Sequence, residues 1–156
     1  MKLSVRKIHV FNEDMRMTAS VNMEFLKKLR KDIVESINLV SSIVNKPYSE
    51  LSDIEKYAIR YHIIVIAEAI IALTLHIVRR KYGLQPETPI HALKILRDKR
   101  VVTEQEYIDL ANMFKLRNLL VHRYWIIDDE KIYYNVKKNF KNIITFIEKV
   151  ISNIER

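Results

Sequence analysis

The scarcity of residues that interrupt helices constrains this chain more than any other feature of its sequence. Only one Gly and three Pro occur among 156 residues, and a turn-rich all-β fold needs many more of both. Most of the chain places apolar residues at helical spacing, whereas alternation typical of a strand occurs only imperfectly, near the N-terminus. The sequence therefore predicts an all-α fold, an up-and-down bundle of four main helices plus a short one.

Length and composition indicate one globular domain. Hydrophobic residues make up 49% of the chain and charged residues 29%, which excludes a disordered protein. We expect a helical domain over residues 21–156, preceded by an extension of unknown role over residues 1–20 that lacks the apolar run of a secretory signal. There is no Cys, which excludes disulfides, thiol catalysis and Cys-based zinc sites, and is compatible with the cytoplasmic location that we expect.

The charge of the chain suggests a class of partner. The formal net charge is +8, and a basic surface attracts polyanions such as RNA, DNA, anionic membranes or acidic proteins. A generally Lys-rich, solvated surface is an equally weighted interpretation. The sequence contains no Gly-rich phosphate loop, no His-x3-His pair and no dense carboxylate cluster, so we expect neither a metal nor a cofactor.

The sequence also marks the helix boundaries. The first helix should span about residues 21–44, with Ser20 as its N-cap. Two residue pairs fit the capping-box pattern at the start of later helices: Ser52 with Glu55, and Thr103 with Glu106. Gly83 is well placed to stop the second helix. A short helix is expected over residues 90–98, and the last helix should follow the acidic residues 128–130.

Residues 63–78 form a run that is apolar nearly all round. A membrane span needs about 20 predominantly apolar residues, and a mid-bilayer acid such as Glu68 would be costly. We therefore expect no membrane insertion but the central helix of a bundle, covered by other helices, with a second subunit as a further candidate. Glu68 must be paired, hydrogen-bonded or protonated. We weigh an edge position in solvent equally against a role in holding Arg117 or His122.

Polar residues interrupt an apolar helix at residues 115–125. Four apolar positions recur at helical spacing and are expected to be buried: Leu116, Leu119, Leu120 and Val121. Four polar residues lie among them or just beyond: Arg117, Asn118, His122 and Tyr124. In an ideal helix Arg117 and His122 lie about 140° apart around the axis, whereas Asn118 and His122 are neighbours one turn apart. The segment offers a cation, an amide and an imidazole near one helix end.

These residue types suit metal-independent cleavage of RNA. His is the side chain best suited to proton transfer near neutral pH, and Arg matches phosphate with two prongs. The RNA 2′-OH supplies an internal nucleophile. One His cannot easily be both acid and base at one centre, which a symmetric dimer would remedy. The simpler interpretation is that both residues are solvated or structural, and that the protein is a helical adaptor.

The motif Arg117-Asn118-x-x-x-His122-x-Tyr124 resembles the Arg-x4-His-x-Tyr motif of HepT-like proteins, the HEPN-superfamily toxins of two-component toxin–antitoxin systems. The resemblance covers roughly residues 25–150. It implies a HEPN-type bundle and a homodimeric ribonuclease with Arg117 and His122 as catalytic residues at the dimer interface. Asn118 and Glu68 would support that site.

The same resemblance implies how the activity is controlled. The family's matching Tyr, here Tyr124, is AMPylated by a minimal nucleotidyltransferase antitoxin, which places the chain in a type VII toxin–antitoxin system. Arg123 departs from the family, in which an acid is frequent at this position. It could strengthen RNA binding or alter the approach of the antitoxin. The alternative is a non-catalytic substrate-binding or regulatory subunit of a nucleotidyltransferase.

Overall fold

The structure is a computed structural model that describes residues 21–155. The extension predicted over residues 1–20 lies outside the described residues. Five α-helices follow one another along the chain: α1 (Met23–Ile43), α2 (Asp53–Tyr82), α3 (Pro89–Asp98), α4 (Glu104–His122) and α5 (Asp129–Glu155). Two short 3-10 helices, Tyr48–Glu50 and Tyr124–Ile126, precede α2 and α5. Within the described part of the chain there is no strand, and the predicted all-α class is confirmed.

Local capping explains where the long helices begin and end. Both predicted capping boxes are formed, at the starts of α2 and α4. Gly83 ends α2 with φ +65°, a left-handed conformation that glycine adopts without steric cost. The prediction for α1 was wrong in detail. Its N-cap is Asn22, whose side chain accepts a hydrogen bond from the backbone N–H of Phe25 at 3.1 Å, so Ser20 lies before the cap.

The four long helices run alternately up and down. The N-terminal end of α1 lies at the end of α2, where the N–H of Asn22 donates to His76 Nε2 at 3.0 Å. Helices α2 and α4 are antiparallel and share an ion pair between Glu68 and Arg117. Helix α5 returns beside α4, and its Lys149 binds Glu106 near the start of α4 at 2.6 Å. The predicted up-and-down bundle is therefore confirmed.

Helix α2 is the central element of the bundle. It packs against α1, α3 and α4. By length and composition α2 could cross a membrane, but half of its most apolar 18-residue stretch is buried inside the bundle. All five helices contribute side chains to the core around α2. The core side chains that are at most 3% exposed include Leu26, Ile33, Ile66, Ile70, Leu93, Phe114 and Ile147. This burial favours the predicted role as a central helix.

One predicted core position is wrong. Val121 is 42% exposed, whereas Leu120 beside it is buried. Leu116 and Leu119 are half-buried. The reason is the direction in which each residue points: Val121 lies about 100° further round the helix axis than the buried Leu120 and faces solvent.

Candidate functional site at the end of helix α4

An ion pair between α4 and α2 fixes Arg117. Its Nε donates to Glu68 Oε1, and its Nη1 donates to Asn118 Oδ1 at 2.8 Å. The Arg117 side chain is 27% exposed and that of Glu68 is 47% exposed. Glu68 thus does both things that the sequence left open, since it reaches the surface and also holds Arg117.

The contacts of Arg117 leave part of its guanidinium free. A guanidinium has five N–H donors, and two of them are used by Glu68 and Asn118. Within residues 21–155 no further acceptor is bound to Arg117. A cation that is oriented by a carboxylate and has donors to spare is suited to binding a phosphate.

His122 is the last residue of α4 and is exposed. The chain leaves the helix at Arg123, whose N–H donates to the carbonyl of Leu119 at 2.8 Å. The ring of His122 forms no hydrogen bond with any residue in the described part of the chain. Its imidazole is therefore available to a ligand from solvent, as proton transfer to a substrate requires.

Tyr124 and Trp125 follow in an exposed 3-10 turn. Their side chains are 62% and 67% exposed. The two rings meet edge to face, with centroids 5.4 Å apart. Exposed aromatic rings beside a helix end are accessible to an enzyme or to a nucleic acid base, and packing does not explain them.

Arg60 positions this turn, and sequence reasoning missed it. From α2, Arg60 grips Asp129 with Nε at 2.7 Å and Nη2 at 2.8 Å, and its Nη1 donates to the backbone carbonyl of Tyr124 at 3.2 Å. The hydrogen bonds with Asp129 raise the pKa of Arg60 above its ordinary value. No signal in the sequence indicates this contact, since Arg60 is simply one cation on a long helix.

The structure brings the predicted residues together as two groups. Glu68, Arg117 and Asn118 form one bonded set. His122, Arg123 and Tyr124 are exposed at the helix end. Asn118 lies one turn from His122 as predicted, but its side-chain oxygen binds Arg117. The described residues contain no cluster of three or more His, Cys, Asp or Glu that could hold a metal ion.

An apolar stripe on α2 runs past Glu68 and is only partly covered by the bundle. Helical spacing puts the stripe on one face, and its first part is strongly exposed: Ile54 at 80%, Tyr57 at 61% and Tyr61 at 61%. It continues through the half-buried Ile64 and Leu75. Single exposed apolar residues are ordinary, whereas a continuous stripe marks an interaction surface.

Comparison with known proteins places this bundle in a class. A crystal structure of a toxin–antitoxin with AMP-PNP contains a chain with a TM-score of 0.76 and 16% identity, over 83% of this chain and 98% of that one. The tri-AMPylated Shewanella oneidensis HEPN toxin, in complex with MNT antitoxin, gives a TM-score of 0.76 and 17% identity, over 82% and 97%. The cytosolic protein of unknown function YutE from Bacillus subtilis gives 0.72 and 20%, over 86% and 92%. These likenesses show the fold alone, and that fold is the HEPN-type bundle.

The sequence itself identifies the family. The profile described as Ribonuclease HepT-like matches residues 31–150, which include the whole of α2, α4 and the motif. No curated protein sequence matches the chain. The chain belongs to the HepT-like ribonuclease family.

Proposed function

We propose that the protein is a cytoplasmic, metal-independent endoribonuclease, the toxin of a type VII toxin–antitoxin system. The observation that carries the proposal is the arrangement at the end of α4. Arg117 is oriented by Glu68 and Asn118 and has donors to spare, and the exposed His122 lies little more than one turn away along the same helix. These are the cation and the proton-transfer group that cleavage of RNA requires.

The proposed chemistry uses the RNA as its own nucleophile. The 2′-oxygen loses its proton and attacks the adjacent phosphorus, and the bond from phosphorus to the 5′-oxygen breaks. The products are a 2′,3′-cyclic phosphate and a new 5′-hydroxyl. Arg117 stabilises the charge that develops on the phosphoryl oxygens. His122 either takes the proton from the 2′-oxygen or returns one to the leaving 5′-oxygen.

A homodimer would supply the second histidine. The exposed stripe on α2 has Glu68 within it, so a symmetric contact through this stripe would bring the Arg117 residues of both subunits close together. In a two-fold interface each residue contacts the same surface of its partner. The composite site would then contain one imidazole as base and another as acid.

Tyr124 is the proposed point of control. Its side chain is 62% exposed, and the similar Shewanella oneidensis toxin is tri-AMPylated and in complex with MNT antitoxin. Transfer of AMP groups from ATP to Tyr124 by a cognate minimal nucleotidyltransferase, the first onto the phenol oxygen and with release of pyrophosphate each time, would add phosphates next to His122 and Arg123. Those phosphates would compete with RNA for the same cations. Arg123, exposed at the helix end, would bind either RNA or the modified tyrosine.

The test is a cleavage assay on total cellular RNA with EDTA present. Wild type and Tyr124→Phe should cut, and His122→Ala should lose about 100-fold or more of the activity, as expected for the loss of acid–base catalysis. His91→Ala is a matched control, since His91 is also exposed but lies on α3. If no variant cuts, and mass spectrometry finds no AMP on wild-type Tyr124, the non-catalytic nucleotidyltransferase subunit becomes the better interpretation.

A further inference from the structure

The first turns of α5 carry a surface strip that the proposed site does not use. Three exposed residues, Lys131, Tyr134 and Lys138, are spaced three and four apart and therefore share one face of the helix. They line a shallow, open hollow together with the exposed amides of Asn135 and Asn139. Cations, an aromatic ring and amides along one face form the pattern of a surface that binds nucleic acid.

The Tyr134 ring is exposed and rests against a buried neighbouring side chain. Its side chain is 57% exposed, although one side of the residue meets Tyr133 at a right angle, with ring centroids 5.0 Å apart. Tyr133 is buried, and its hydroxyl donates to the carbonyls of Val44 and Lys46 at 3.2 and 2.5 Å. An exposed ring on a fixed support loses little freedom when a base stacks on it.

Two contacts hold this strip in place relative to the motif. Arg60 binds Asp129 in the first turn of α5 and the carbonyl of Tyr124 at the same time. Asp128 caps the helix, since its Oδ1 accepts from the N–H groups of Glu130 and Lys131 at 3.1 and 3.2 Å. The Cα atoms of Tyr124 and Lys131 are at most about 25 Å apart by chain length alone. A nucleic acid strand of several nucleotides is long enough to span that distance.

The charged residues that line the hollow favour binding of a nucleic acid backbone at some distance from the start of α5. Asp128 and Glu130 line the same hollow and would repel phosphate near the first turn. Lys138 lies two turns further on, about 10 Å along the axis from Lys131, and the exposed Lys137 is next to it. A phosphate would therefore bind near Lys137 and Lys138, with a base over Tyr134.

We propose that Lys131, Tyr134 and Lys138 form a binding strip for single-stranded RNA that leads the substrate to Arg117 and His122. The proposal rests on the proposed function for its substrate. It assigns a role in positioning the substrate to residues on α5, a helix that lies outside the motif. An unpaired strand is the expected ligand because only splayed bases can stack on a tyrosine ring.

The experiment measures binding separately from cleavage. Full-length protein with His122→Ala is titrated onto a labelled, unstructured RNA oligonucleotide and onto an RNA duplex, by fluorescence anisotropy at several salt concentrations. Tyr134→Ala should weaken single-strand binding by about 5- to 100-fold, and Tyr134→Phe should restore it. The duplex affinity should be unchanged by either substitution at Tyr134.

The lysines are tested through the salt dependence. Lys131→Gln combined with Lys138→Gln should weaken single-strand binding and lower the slope of log affinity against log salt by about 0.7, because each phosphate neutralised on a single strand accounts for about 0.7 and only Lys138 lies away from Asp128 and Glu130. The matched control is Lys27→Gln with Lys28→Gln, two exposed lysines on α1, which should leave the slope unchanged. All these positions are exposed, so circular dichroism should show unchanged helix content.

Any of three outcomes would overturn the proposal that this strip binds single-stranded RNA. Tyr134→Ala could bind single-stranded RNA with wild-type affinity, the α1 control could lose as much affinity as the lysine variant on α5, or the His122→Ala protein could fail to bind RNA. Failure of the ribonuclease proposal has a different signature. In that case no variant cuts RNA, while the substitutions on α5 still weaken single-strand binding and those on α1 do not.

Discussion

Helix α4 differs between its first turns and its last one. Leu110, Ala111 and Phe114 are 3–8% exposed, and the helix start is fixed by its capping box and by the Glu106–Lys149 pair. By contrast, every residue from Val121 to Ile126 is exposed. Arg117 lies between the two parts and is held from α2. The difference teaches that one stretch of the helix stabilises the bundle, while the residues to which we assign chemistry lie mostly on another.

The largest expected effect on unfolding free energy comes from comparing two substitutions on α4. Phe114→Ala removes a side chain that is 3% exposed, so the free energy of unfolding should fall by about 3–5 kcal/mol, because apolar burial is reduced and a cavity forms. His122→Ala should change it by less than about 0.5 kcal/mol, as exposed positions usually do. Urea unfolding followed by circular dichroism measures both. A His122→Ala protein as unstable as Phe114→Ala would contradict the division.

The next effect concerns the contact that fixes the exposed turn. Arg60→Ala leaves the Asp129 carboxylate, whose side chain is 21% exposed, without its two-pronged partner, and frees the carbonyl of Tyr124. We expect a loss of about 1–3 kcal/mol in unfolding free energy. The matched control is Arg30→Ala, which breaks the ion pair between Arg30 and Glu148. Because these two side chains are 45% and 48% exposed, the loss in unfolding free energy should be less than about 1 kcal/mol.

The outcome for RNA cleavage sharpens the same test. If Arg60 positions the turn, Arg60→Ala should also lower cleavage at temperatures where the protein remains folded, and Arg60→Lys should restore only part of it, since Lys lacks the fork geometry. Equal losses of stability in the Arg60 and Arg30 variants would show that the Arg60 contact is an ordinary surface pair.

The boundary between the two parts of α4 also marks how far the sequence could predict the structure. Local rules predicted both capping boxes and the role of Gly83 correctly, because a cap depends on residues only a few positions apart, but the same rules placed the first N-cap at Ser20 and not at Asn22. Helical spacing wrongly predicted that Val121 is buried, because Leu120 and Val121 lie about 100° apart around the axis and spacing alone cannot show how much of that arc the neighbouring helices cover. The pairing of Glu68 with Arg117 was one of two open interpretations, and only the packing of α2 on α4 decided it.

Contacts between distant parts of the chain account for what the sequence missed. Arg60 and Asp129 are 69 positions apart, and no local pattern relates them. The same holds for Tyr133, which binds the carbonyl of Lys46 from 87 positions away. Such contacts follow from the three-dimensional arrangement of helices, whereas the family motif could be recognised because its residues lie within eight positions of one another.

Two half-buried histidines on α2, His62 and His76, should make the stability of the bundle depend on pH. His62 Nδ1 lies 3.0 Å from Ser36 Oγ, and His76 Nε2 accepts from the N–H of Asn22. Burial lowers the pKa of both side chains below the ordinary 6.5, and Arg80 lowers that of His76 further. Because the unfolded chain then binds more protons than the folded one, stability should fall as the pH drops below about 6.5.

The measurement is the urea midpoint between about pH 8 and pH 5. A protein with His62→Gln and His76→Gln should show a smaller drop over this range, because glutamine does not titrate. The carboxylate of Glu55, whose pKa is lowered by its hydrogen bond with Lys46, loses its contribution only below about pH 4.5, outside this window. A pH-independent midpoint in the wild type would contradict the assignment.

The smallest effect on stability is expected at Glu68, where the two parts of α4 meet. Glu68→Gln keeps an oxygen that can accept from Arg117 Nε but removes the charge, and since the Glu68 side chain is 47% exposed, unfolding free energy should change by less than about 1 kcal/mol. Cleavage should nevertheless fall, because an arginine that is no longer held by a carboxylate binds the phosphate less well in the transition state. Glu35→Gln is the control, since it removes an exposed acid beside Lys31 on α1. A stability loss with unchanged cleavage would show that Glu68 serves the bundle and not the site, and the division between stability and chemistry would then lie nearer the helix end, at His122.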